Sequence, residues 1–218
     1  MMRTDTQLQR DVMAELRWES SINAAQIGVE VSDGVVTLAG HVGSFAEKHS
    51  AERAVQRVKG VKALAVEIDV RLTGASERND VDIARTAKNV LEWTSFVPKD
   101  SVDVMVENGW ITLSGLVGWD HQKQAAVAAV RDLMGVRGVS NQIEVRSPVS
   151  IGAVRADIEA ALTRRSTSEA RDIAVSVKGT EVTLTGTVHT WSERELLTHA
   201  AWSTPGVCRV VDKISIVD

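Results

Sequence analysis

Along VEVSDGVVTLAGHV, residues 29–42, apolar and polar positions alternate, with Val36, Leu38 and Val42 on one side and Thr37, Ala39 and His41 on the other. A period of two predicts a pair of half-buried strands, and the Asp33-Gly34 pair between them suits a type I′ hairpin turn. One core-facing slot is empty, because Gly40 stands between Leu38 and Val42. Glycine inside a strand marks a bulge or a close backbone approach, and the expectation is a helix crossing the sheet at that point.

The same spelling returns twice, as ITLSGLV from 111 and VTLTGTV from 182. The register extends both ways. Ahead of it stand the triplets Ile27/Val29/Val31, Val102/Val104/Val106 and Ile173/Val175/Val177; behind it come Gly60-Val61, Gly135-Val136 and Gly206-Val207. The pairs Ile68/Val70, Ile143/Val145 and Ile214/Ile216 then read as last strands. Gly40, Gly115 and Gly186 share the inward slot, while Gly34, Gly109 and Gly179 share the hairpin turn. Asn108-Gly109 again suits type I′, and Gly179-Thr180 suits type II′.

Helical spacing frames the strands. Leu8/Val12/Leu16, Ile83/Ala87/Leu91 and Val154/Ile158/Leu162 each form an apolar stripe at i, i+4, i+8, entered through the N-cap residues Thr4, Asn79 and Ser150. A second helix opens on capping boxes at Ser44-x-x-Glu47 and Thr190-x-x-Glu193, with Trp119 and Gln122 in the middle copy. Schellman stops are expected at Gly60, Gly135 and Gly206, with Pro205 ending the third of these helices a residue or two early.

Each unit therefore reads α-β-β-α-β. The hairpin pair must be antiparallel, and the helical crossover makes the second and third strands parallel. The expected protein is α+β: three tandem units, at 1–72, 79–146 and 150–218, each a small mixed three-stranded sheet with two helices on one face.

VEVSDGVVTLAGHV, VMVENGWITLSGLV and VSVKGTEVTLTGTV, each followed by a helix, Gly-Val and a short strand, resemble the BON domain of bacterial osmotically inducible and nodulation proteins. The resemblance covers nearly the whole chain. It implies a non-enzymatic binding module linked to osmotic or envelope stress, with a phospholipid surface or a protein as partner; another branch of the family implies potassium binding.

The remaining chemistry fits a binding module. His41, His49, His121, His189 and His199 form neither HxH nor HExxH, and the most enzyme-like pair, Asp120-His121, aligns with Phe45-Ala46 and Trp191-Ser192. No catalytic residues, metal site or cofactor are expected. The net charge of −4 is spread evenly over the three units, without the basic cluster that nucleic acid demands. No stretch is long and apolar enough to span a bilayer, the first twenty residues contain no apolar h-region, and Cys208 is the sole cysteine, so a cytoplasmic protein is expected.

Six tryptophans and two phenylalanines remain to be placed. Trp18 and Trp93, aligned near the end of the first helix, are expected in core or domain packing. Phe45, Trp119 and Trp191 put an aromatic at the entry to every second helix and are candidate binding residues. Alternation places Met105, Trp110 and Leu116 on the outer face of the middle sheet, where the other copies have Glu30/Val35/His41 and Ser176/Glu181/Thr187. That face should need cover from a neighbouring unit, a partner or self-association through the second unit.

Overall fold

The computed structural model describes residues 4–146, 173–204 and 207–217. Ser150, the Val154/Ile158/Leu162 stripe, Pro205 and Gly206 lie outside them. The first copy contains α1 (Asp5–Trp18), β1 (Ile27–Ser32), β2 (Val35–Val42), α2 (Phe45–Gln56) and β3 (Ala63–Val70). The second contains α3 (Asp80–Trp93), β4 (Val102–Glu107), β5 (Trp110–Val117), α4 (Asp120–Arg131) and β6 (Gly138–Val145). The third contributes β7 (Ala174–Lys178), β8 (Glu181–Val188), α5 (Trp191–Trp202) and β9 (Arg209–Ile216).

Three three-stranded sheets result, ordered β1-β2-β3, β4-β5-β6 and β7-β8-β9. Val102 faces Gly115 across the antiparallel β4–β5 pair, while Trp110 faces Gly138 across the parallel β5–β6 pair. In the second copy, Ile83, Ala87 and Leu91 of α3 share one core with Ala126 and Val130 of α4 and with the sheet residues Ile111, Leu113, Val117 and Ile143. Both helices thus cover one face. The third copy builds an equivalent cluster from Val182, Leu184, Leu197, Ala201 and Ile214.

By compactness the chain divides into one unit of residues 1–42, 47–69 and 151–218, and another of residues 43–46 and 70–150.

The helix starts follow local chemistry. Thr4 and Gln7 form a reciprocal capping box on α1, and the Asn79 side chain accepts from the Asp82 N–H at 2.8 Å on α3. The next residue has a separate task. The Asp5 carboxylate accepts the backbone N–H groups of Asp33 and Gly34 at 2.8 and 3.1 Å, and Asp80 accepts those of Asn108 and Gly109, both at 2.8 Å. Each clamp fixes a turn whose two central residues have positive φ: 53° and 80° in the first copy, 51° and 78° in the second. Such a turn leaves amides that need an acceptor, and a carboxylate supplies a strong one.

Three expectations are corrected. Gly40 and Gly115 make room for backbone rather than for a helix: a Cβ there would collide with the carbonyl oxygen of Gln26 or Ser101, just ahead of β1 or β4. Their φ values of 136° and 133° lie where L side chains rarely go, and the next residue in β5, Leu116, donates its N–H to that same Ser101 carbonyl at 3.1 Å. The second helices end before their glycines. α2 stops at Gln56 and tightens through bonds from Arg57 to Ala54 and from Val58 to Val55, whereas Gly60 occupies a later turn; in α4's copy, Gly135 closes a bond from Val136 to Leu133. Nor does the third helix stop early. α2, α4 and α5 each have 12 residues and end at aligned positions.

Candidate functional site

The aromatics at the entries to the second helices are half-buried and engaged. Phe45 packs against the second copy's core, and residues 43–46 fall in that compact unit. Trp191 of the third copy donates its indole N–H to the Val61 carbonyl of the first at 3.0 Å, and Arg194 lies over its ring at 5.1 Å. Nearby, Arg53 and Glu195 form an ion pair of 2.8 Å between the same two copies. Trp119 stacks on His121 with centroids 6.4 Å apart, and Phe96 meets that imidazole edge-on at 5.9 Å. Lacking a side-chain acceptor, Trp119 leaves the capping to Gln122, whose Oε1 accepts from Gly118 and Trp119 N–H.

Trp18 and Trp93 overturn the expectation of core packing. They are 86% and 89% exposed. Each lies two residues past the last apolar-stripe position, Leu16 or Leu91, about 200° further round the helix and therefore facing away from the core. The stripe itself carried this signal in the sequence.

The outer face of the middle sheet is open as its alternation indicates, with Met105 at 60%, Trp110 at 48% and Leu116 at 44% exposure. Trp110 is held in place. Its six-membered ring covers the spot where Gly138 would carry a Cβ, and its indole N–H donates to Ser140 Oγ at 2.9 Å. At the aligned positions of the third copy, Glu181 pairs with Arg209 at 3.1 Å.

The turn glycines Gly34, Gly109 and Gly179 adopt positive φ, as do Gly60, Gly135 and Gly186. Thr180, after Gly179, does not, which is the requirement of a type II′ turn. Asp120 of the Asp120-His121 pair is buried, and among the described residues no group of three or more His, Cys, Asp or Glu could hold a metal ion. No helix among them is long and apolar enough to cross a membrane. The perturbed charges serve packing: Arg57 bonds to Glu15 and Glu19, its hydrogen bond holding the Glu19 carboxyl below the usual range, while burial raises that of Glu52.

Three small mixed sheets, each with a positive-φ glycine in its middle strand, define a repeated α+β module. The BON domain family matches residues 4–71, 79–147 and 151–218, and the chain belongs to that family. It is 29% identical to the Osmotically-inducible protein Y of Escherichia coli (strain K12) over 146 residues, 65% of this chain and 73% of that protein. Among solved structures it is similar to CdsD, a structural protein of the type III secretion system of Chlamydia trachomatis, at 13% identity and a TM-score of 0.26, covering 95% of this chain and 91% of that one. The PrgH periplasmic domain aligns at 11% identity and a TM-score of 0.22, covering 88% of this chain and 96% of that one. Whole chains do not superpose at such scores.

Proposed function

We propose that this chain is a non-enzymatic, osmotic-stress-associated binding protein that docks on a lipid surface through exposed indoles. The observation that carries the reading is the aligned pair Trp18 and Trp93, one at the end of the first helix in each of two copies, both almost fully exposed. An indole has an apolar body and a polar N–H, which favours the boundary between headgroups and acyl chains. The exposure recurs at one aligned position in two copies, unlike an apolar side chain scattered singly over a surface. Likeness to an osmotically inducible protein supports the stress association.

The net charge of −4 shapes the expected binding. Attraction to anionic headgroups is weak, so partition of the indoles must supply the affinity, and added salt should change it little. Co-sedimentation with phosphatidylcholine vesicles, read with tryptophan emission, tests this directly. Wild type should pellet with the vesicles and shift to the blue, and the Trp18→Ser, Trp93→Ser double variant should do neither. Failure of wild type to pellet, or pelleting by the double variant, rejects the lipid surface.

A further inference from the structure

The outer faces of the second and third sheets carry opposite charge. On the second, the charged residues at outward strand positions are Asp103, Glu107 and Glu144, with no Lys or Arg among the described strand residues of that face. Arg146, just past β6, reaches Glu144 only at 4.0 Å between exposed side chains. On the third, Lys178, Arg209 and Lys213 point outward against the one acid Glu181. Two surfaces of one chain are thus electrostatically complementary.

The acidic face also supplies an anchor. Trp110 is fixed by its seat on Gly138 and its bond to Ser140, with Glu107 directly across from it in the β4–β5 register. An indole ordered before docking loses little entropy on binding, and one beside a carboxylate suits a guanidinium. Arg209, with its side chain 73% exposed, is such a group. The first sheet has outward acids at Glu30, Glu67 and Asp69 but only Val35 and Ala63 at the positions of Trp110 and Gly138, so it has charge without an anchor.

We propose that the protein self-associates by seating the basic outer face of the third sheet of one copy on the acidic, tryptophan-bearing outer face of the second sheet of another copy. The two surfaces differ, so the contact is heterologous: every copy brings one face of each kind. Charge sets the approach and the register, and Trp110 with Met105 supplies the desolvated centre.

Sedimentation equilibrium of the full chain over a wide concentration range tests the proposal. The mean mass should rise with concentration at low salt and fall when salt is added. Glu107→Lys, Lys178→Glu and Trp110→Ser change exposed side chains, should keep the wild-type far-UV circular dichroism, and should each weaken association about tenfold or more. Mixing Glu107→Lys with Lys178→Glu should restore association, because the first variant retains the basic face and the second the acidic one. A single-chain mass under all conditions, wild-type association by Trp110→Ser, or failure of the mixture to recover would overturn it.

Discussion

The second and third copies share a fold and differ in how they secure its surface. In the second, Asp80 clamps the Asn108-Gly109 turn and Trp110 covers Gly138. In the third, the turn is Gly179-Thr180, the residue aligned with Asp80 is Ile151, and Glu181 faces Arg209. The turn and its clamp change together. A type I′ turn presents two amides that a carboxylate can take at once, and when the chain switches to Gly-Thr the aspartate has gone as well. One architecture therefore tolerates two solutions at its edge, provided the inner slots stay constant.

The constant slots should cost most to disturb. Gly115→Ala puts a Cβ onto the Ser101 carbonyl at a φ of 133° and should lower stability by about 3 kcal/mol or more, seen as early loss of the second copy in urea unfolding. Gly186→Ala, at a φ of 146°, should do the same to the third copy. Unequal losses would mean that the shared glycine conformation is not what both copies depend on.

Next in size is the clamp. Asp80→Ala removes two charge-assisted bonds, leaving the exposed Asn108 amide to water and the buried Gly109 amide without its acceptor, and should cost about 1.5 kcal/mol, with faster hydrogen exchange at those two positions. Asp5→Ala should act alike on the first copy. Urea midpoints with exchange read at the turn check both. An unchanged midpoint would reduce the aspartates to ordinary first-turn acids.

Much of this was legible in the chain because three copies act as controls on one another. Strand alternation, the hairpin turns, the stripe Leu8/Val12/Leu16 and the outward Met105, Trp110 and Leu116 all follow from period and register. What escaped depends on groups distant in sequence. Gly40 indicated a close approach, but alternation cannot say whether a helix or a carbonyl arrives, and the Gln26 carbonyl comes from the neighbouring edge. Asp5 and Asp80 stand in the first turns of α1 and α3, and only their 28-residue reach to the hairpin shows that they clamp it. Ser140 gave no sign of holding an indole until β6 was paired with β5 in register. Phe45 and Trp191 look alike as helix-entry aromatics, yet each reaches a different copy.

The smallest effects separate the two surface solutions. Trp110→Ser uncovers Gly138 and removes the bond to Ser140; covering a strand glycine with an aromatic is worth about 1 kcal/mol, so the second copy should lose close to that. Arg209→Ala breaks an ion pair whose side chains are 73% and 35% exposed, and solvent screening leaves such a pair worth about 0.5 kcal/mol or less. Both are measured in dilute protein, where self-association adds nothing to the midpoint. The order decides what Trp110 does for the fold. If Arg209→Ala costs the third copy more than Trp110→Ser costs the second, the indole adds little to its own sheet, and its fixed orientation must then be explained by what it meets outside the chain.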